Sequence, residues 1–351
     1  MQMMPATTLK EGMILAEDVV SQGIVVVTKD TKLTRTEIQK ILNFKVMVVN
    51  IYEDEDLAAT FYESVRKSKK YAQFCDNYNA QLIAYRAAVD SFIYNHVTFS
   101  RLDLLKIVDS LVPENMTGKT LFAYLYNMLP SEETMTYAHG LNVGLICRIF
   151  SRWLNFDLDD QEALTMAGMI YDVGKCLLPH DIIWKPGKLN DLEFGLMQTH
   201  AFHAYHLLSK TSIDPRILDA TLQHHERNDG SGYPQGLKAD QIAPFAKIIA
   251  IVDMYEAMTT ARSYRQPMCA YKVMSIFEQE FFQKYDFTYM QTFCRHIADE
   301  LIGVRVKLSN DIEGTVIMNS PNSFSRPIIQ LDDGNIVDLS KNRTENIIAI
   351  I

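Results

Sequence analysis

The run IIAIVDM, residues 248–254, sets one carboxylate into a stretch that is otherwise apolar. Five consecutive apolar residues, Ile248-Ile249-Ala250-Ile251-Val252, leave no polar face, so the segment belongs inside a protein and carries Asp253 in with it. A buried carboxylate is costly without a paired cation, and a metal ion supplies one. Outward from this run, from about residue 57 to 300, apolar residues recur at three and four, as in Leu82-Ile83-Tyr85-Ala88 and Leu104-Leu105-Ile107-Leu111. The spacing predicts a multi-helix domain. Residues 9 to 51 differ: short apolar runs (Met13-Ile14-Leu15, Ile24–Val27, Val46–Ile51) alternate with turn signals at Gly12, Gly23 and Asp30, with one helix expected after Thr34. Beyond about 302 the period drops to two, in Val304-Val306-Leu308, Gly314–Met318, Pro327–Leu331 and Ile336–Leu339, and Asp333-Gly334 is a tight-turn dipeptide. The expected class is mainly α, a helical bundle between a small strand-rich N-terminal module and a small C-terminal antiparallel β module. The divisions fall at 1–56, 57–120, 121–302 and 303–351.

Composition supports a folded chain. Of 351 residues 48% are hydrophobic and 22% charged, unlike a disordered or fibrous sequence. The net charge of -9 opposes a general grip on a nucleic-acid polymer, which depends on neutralising many phosphates. Any anionic ligand has to be caught locally. Cys75, Cys147, Cys176, Cys269 and Cys294 are odd in number and scattered, so they read as buried thiols in a reducing compartment. The start, MQMMPATTLKEG, has no basic leader, and no apolar run reaches the roughly 18 residues of a spanning helix. No membrane insertion and a cytoplasmic location are expected.

Seven of nine histidines fall between 139 and 225. Any one histidine is more readily a tolerated surface residue, and His96, His180, His203, His206 and His296 are read so. Four places resist that reading. His139 lies in the amphipathic stretch Thr136–Phe150 with Val143, Ile146 and Phe150 continuing its face, so its imidazole points inward. Asp172 closes the apolar helix Ala163–Ile170 and precedes Gly174, a helix stop. Asp253 is the buried acid already described. His224 and His225 are adjacent near a helix end, about 100° apart around the axis, where two neighbouring ions or one enclosed ion could use them. Imidazoles mixed with carboxylates suit iron, manganese, zinc or cobalt better than calcium. Ligands drawn from separate helices place such an ion inside a bundle.

His139, Tyr171-Asp172-Val173-Gly174-Lys175, His200, the words HHERNDGSGYP at 224–234 and Asp253 together resemble the HD-GYP branch of the HD phosphohydrolases. The resemblance covers roughly 121 to 300. It includes Lys185-Pro186-Gly187-Lys188-Leu189 and two intervals of 28 residues, from 172 to 200 and from 225 to 253. It implies an HD-type bundle that hydrolyses cyclic di-GMP, through pGpG and often on to GMP, at a centre of two or three metals. The ligands it implies are His139, Asp172, His200, His224, His225 and Asp253, with Asp172 bridging. It also implies that Lys175, Arg262 and Arg265 contact phosphates, with Asp172 and Lys175 catalytic; Lys175 or a metal-bound water could assist the departing 3′ oxygen. The two arginines fall on the polar turn Thr259–Pro267, where paired guanidiniums could clamp a dianion. In the loop Asp229–Gly236 three glycines permit close backbone approach and Tyr233 offers a face or a hydroxyl to the ligand. Asn190 with Glu193 forms a capping box, which is structural.

Three positions depart from the family pattern. Tyr171 stands where the first member of the His-Asp pair belongs, leaving phenolate coordination to a ferric ion, a water-filled position or loss of that ion. Met135 replaces a glutamate one turn before His139, so two ions at most are expected, iron first, then manganese, with zinc also suitable. Ala204 replaces a glycine without chemical consequence. The leading expectation is a metal-dependent cyclic di-GMP phosphodiesterase in bacterial second-messenger signalling. The other is a catalytically impaired receptor or scaffold that keeps the pocket, and hydrolysis of mixed cyclic dinucleotides completes the set. A homodimer or a signalling-protein partner stays open.

Overall fold

A computed structural model of the chain describes residues 1–21, 23–53, 60–185, 187–261, 266–279, 283–321 and 323–351. The chain forms two compact units, Met1–Ala72 and Gln73–Ile351. In the first, β1 (Gln2–Pro5), β2 (Val19–Ser21), β3 (Ile24–Val27), α1 (Arg35–Asn43) and β4 (Val48–Ile51) surround a small core that includes Leu15, Leu33 and Ile41, and α2 (Phe61–Lys67), which has no buried residue, follows. β1 pairs antiparallel with β4, and β2 with β3. The helix expected after Thr34 is α1, where Thr34 and Glu37 close a capping box.

α3 (Lys69–Asn95) leads into the second unit, followed by α4 (Arg101–Leu111), α5 (Gly118–Asn127), α6 (Met135–Trp153) and α7 (Leu158–Ile170). Then come α8 (His180–Ile183), α9 (Asp191–Leu208), α10 (Pro215–Gln223), α11 (Pro244–Thr259), α12 (Ala270–Gln279) and α13 (Phe287–Glu300). The structure corrects the reading of α6 as amphipathic: every residue from Ala138 to Ser151 is buried. The reason is position, because α4, α5, α7, α11 and α13 all pack against it. A central helix has no solvent face to keep polar, so His139 and Asn142 are polar groups inside a core.

The tail is an antiparallel sheet of five strands: β5 (Arg305–Leu308), β6 (Glu313–Ser320), β7 (Ser323–Leu331), β8 (Ile336–Asp338) and β9 (Ile347–Ile350), in the order β8-β7-β6-β5-β9. β9 was not foreseen; it is the edge strand that pairs with β5. The sheet belongs to the same compact unit as the bundle. Glu278 on α12 joins them, accepting hydrogen bonds from Phe324 N at 2.6 Å and Ser323 Oγ at 2.7 Å. Cys147, Cys269 and Cys294 are buried, as read from the sequence, whereas Cys75 and Cys176 are half-buried. Among the described residues no helix is long and apolar enough to cross a membrane.

Candidate metal centre

Five segments converge at the core of the bundle, and each delivers one of the expected ligands or an adjacent pair. His139 lies on α6 and Asp253 on α11, while Asp172 follows α7 and opens a short 3-10 turn, Val173–Leu177. His200 is on α9, and the capping box at Asn190 and Glu193 that starts this helix is present. His224 caps the end of α10, so His224 and His225 stand just past its last turn rather than within it. Their rings lie 4.1 Å apart.

The local sequence explains how Asp172 and His200 meet. Gly174 is not a helix stop, since the chain continues directly into the 3-10 turn. Its lack of a side chain serves another purpose: a Cβ there would fall 2.0 Å from the His200 carbonyl oxygen. Glycine lets the turn after Asp172 lie directly on α9.

On one side of the centre the hydrogen bonds fix the imidazoles. His200 Nδ1 donates to the Met197 carbonyl at 2.6 Å, and His224 Nδ1 donates to the Thr221 carbonyl at 2.9 Å. With those protons committed, each Nε2 keeps its lone pair, and the two Nε2 atoms face each other at 3.2 Å. Two lone pairs so placed call for a cation. A proton does not serve, because burial, followed by the Lys175 charge at His200 and the His200 charge at His224, lowers both pKa values to about 3. His225 is likewise held well below its ordinary value by burial and by His224. The nitrogens of His200, His224 and His225 that could bind an ion lie within 4.8 Å of one another. Asp172 Oδ1 is 3.4 Å from His200 Nε2. Both Asp172 oxygens are buried without a hydrogen-bond donor, although Lys175 Nζ forms an ion pair with Oδ2 at 2.5 Å. Neutral imidazoles and an under-satisfied carboxylate fit a transition-metal ion.

The other side holds His139, Tyr171 and Asp253, and here carboxylates dominate. His139 Nδ1 is 2.5 Å from Glu256 Oε2, and His139 Nε2 is 2.9 Å from Asp253 Oδ1 and 3.8 Å from Asp172 Oδ2. Burial opposes a charge on His139, yet the Glu256 and Asp253 carboxylates outweigh it and raise its pKa to about 9. Asp253 is held well below the carboxylate range: burial works against that, but the hydrogen bond and charge of His139 prevail. Tyr171 OH donates to Asp253 Oδ1 at 2.8 Å and sits 2.8 Å from His139 Nε2. Burial, then the Asp253 and Asp172 charges, push the phenol well above 10. The Tyr171 oxygen, His139 Nε2 and Asp253 Oδ1 lie within 2.9 Å of one another, joined by hydrogen bonds where an ion would otherwise sit. To bind one, this side must first give up protons from His139 and Tyr171.

Tyr233 lies next to the ligands, its ring stacked on His225 with centroids 4.5 Å apart. Its loop is held by Glu226, which accepts from Gln235 N at 2.7 Å and Leu237 N at 2.9 Å. Gly232 permits this close fold, since a Cβ there would lie 2.4 Å from Arg227 N. Arg262 and Arg265 lie outside the described residues, as does Pro186. Sequence reasoning missed Glu256 and Asn142. Both signals were present: Glu256 follows Asp253 by three and Asn142 follows His139 by three, so each shares a buried helix face with a ligand.

Residues 123–288 match the family model described as HD domain. The chain is 35% identical over 154 residues to the 3'3'-cGAMP-specific phosphodiesterase 1 of Vibrio cholerae, covering 44% of this chain and 36% of that protein. It is 30% identical over 204 residues to the cyclic di-GMP phosphodiesterase PA4108 of Pseudomonas aeruginosa, covering 58% and 49%. Among solved structures, Bd1817, a HDG"Y"P protein from Bdellovibrio bacteriovorus, aligns over 83% of this chain and 97% of its own at 14% identity and a TM-score of 0.46. The chain spans half or less of the length of the two phosphodiesterases it matches. The matched segment, residues 123–288, is therefore similar to HD domains, and the relatives that share it are named as cyclic dinucleotide phosphodiesterases.

Proposed function

We propose that this chain is a metal-dependent phosphodiesterase that hydrolyses cyclic di-GMP to pGpG, GMP or both. The observation that carries the reading is the pair of Nε2 lone pairs on His200 and His224, held 3.2 Å apart beside an under-satisfied Asp172. That arrangement suits a bound cation and has no equal use in a purely structural core. Relatives named as cyclic di-GMP and 3'3'-cGAMP phosphodiesterases supply the substrate class.

Two ions at most are proposed, iron or manganese ahead of zinc. His200, His224, His225 and Asp172 would hold the first, and His139 and Asp253, with Tyr171 where its phenol ionises, would hold the second. When bound, the ions would supply Lewis acidity, an activated water and an anchor for the departing oxygen. The protein contributes placement and charge. Asp172 turns Oδ1 toward His200 and Oδ2 toward His139, so it joins the two halves. Lys175 keeps its ammonium at Asp172, from where it reaches a phosphate oxygen or hands a proton to the leaving 3′ oxygen. Tyr233 covers His225 and offers its ring or hydroxyl to the substrate. Arg262 and Arg265 are assigned to the substrate phosphates on the sequence resemblance.

Tyr171 favours a second reading, a receptor that binds without cutting, because its phenol ties His139 and Asp253 into a hydrogen-bonded set. One assay separates the two. Protein reconstituted anaerobically with Fe(II) or Mn(II) is incubated with cyclic di-GMP and, in parallel, with 3'3'-cGAMP, and the linear products are followed. Turnover of cyclic di-GMP is expected, and Asp172→Ala should reduce it on the order of a thousandfold, the loss of several kcal/mol of transition-state stabilisation. Tight binding with no linear product would replace the enzyme by the receptor.

A further inference from the structure

Glu256 is buried, and its two oxygens face opposite ways. Oε2 meets His139 Nδ1, while Oε1 accepts from Asn142 Nδ2 at 2.8 Å and from Thr260 Oγ1 at 2.8 Å. Asn142 is fixed in turn, because Tyr78 OH donates to its Oδ1 at 2.7 Å. We propose that Tyr78, Asn142 and Thr260 are positioning residues for the metal centre: they hold Glu256, and Glu256 holds the His139 ring with Nε2 toward Tyr171 and Asp253. The inference rests on the metal-centre reading of the site.

The chain of donors runs in one direction. A carboxylate can only accept, so Asn142 must present its NH2 group to Glu256 and its oxygen to Tyr78, and Tyr78 must donate. Glu256 then accepts the Nδ1 proton of His139, which fixes the tautomer in which Nε2 faces the other ligands. The other two buried imidazoles have the same arrangement with a backbone carbonyl in place of the carboxylate. A metal-binding histidine characteristically gives its other N–H to a carboxylate or carbonyl that sets ring orientation and basicity.

Tyr78 adds a consequence for the architecture. It lies on α3, before the stretch 121 to 300 that the resemblance covers. The same helix places Tyr85, whose hydroxyl donates to the Met169 carbonyl two residues before Tyr171. It also carries Asp90, which accepts from Tyr137 OH at 2.6 Å two residues before His139. α3 therefore touches the chain beside both ligands and supports them.

The test measures Co(II) affinity of the full chain by chelator competition, with the visible Co(II) spectrum as a report on the ligand set. Glu256→Gln and Asn142→Leu are expected to weaken the looser Co(II) equivalent by about 10–100-fold, the effect typical of a lost outer-shell partner, and to alter its spectrum. The milder Tyr78→Phe, which keeps the ring volume, should shift it the same way by less. Tyr271→Phe removes a buried hydroxyl that has no hydrogen-bond partner among the described residues and should change nothing. Wild-type affinity in all three variants, an equal loss in Tyr271→Phe, or uptake of fewer than two Co(II) by the wild type would overturn the proposal. Because Co(II) binding is read without substrate, a wild type that binds two ions yet cleaves no cyclic dinucleotide would end the proposed activity and leave this support intact.

Discussion

The two halves of the centre use similar side chains and hold them in opposite protonation states. His200 and His224 are buried with their Nε2 atoms facing each other and Asp172 beside His200, and with His225 they keep neutral rings. His139 has carboxylates at both nitrogens and is pushed to about 9, with the Tyr171 phenol donating to one of the same acids. Residue type alone does not make a metal ligand. The ratio of acids to imidazoles decides whether a proton already fills the place of the ion. The neutral half is ready for a cation, whereas the acidic half already has one in the form of a proton.

The sharpest way to break this comparison is to remove one ligand from each half and follow thermal stability as metal is added. Metal at about 100 times its dissociation constant should stabilise the wild type by about 2.7 kcal/mol. His200→Ala is expected to abolish that gain, and Tyr171→Phe to keep most of it. Equal losses from the two variants, measured by calorimetry against a chelated control, would show that the halves bind as one unit. A smaller effect sharpens the contrast: Tyr171→His exchanges a phenol that must lose a proton for an imidazole that arrives with a lone pair. It should raise occupancy of the looser ion, and turnover by about tenfold, equivalent to about 1.4 kcal/mol in the transition state. Unchanged metal content and unchanged turnover would mean that Tyr171 is not what limits this half.

Much of this was legible in the sequence because burial and charge leave marks there. Asp253 in an apolar run and a cluster of histidines marked places where polar groups turn inward, and the resemblance to the HD-GYP branch named six positions, which the structure brings close together. What escaped has a physical reason. The amphipathic reading of α6 failed because a helix packed on every side loses the 3.6-residue signal that separates core from surface. Gly174 was mistaken for a stop because sequence cannot tell a glycine needed for backbone freedom from one needed for contact with a neighbouring carbonyl. Tyr78 lies about sixty residues before Asn142, and no local pattern links a phenol to an amide at that distance.

The smallest effect tests whether α9 acts merely as a carrier of His200. Asn190 accepts from Glu193 N at 2.9 Å, and Glu193 returns the bond to Asn190 N at 2.8 Å, so Asn190→Ala frays the first turn of the helix. The expected cost is about 1 kcal/mol of stability. His200 lies almost three turns further on, held by its bond to the Met197 carbonyl and by the backbone contact with Gly174. Melting temperature should therefore fall while metal content and kcat stay at wild-type values. If metal content falls along with stability, the neutral half depends on the far end of its helix. In that case the contrast between the halves would reflect the rigidity of α9 as well as the count of carboxylates.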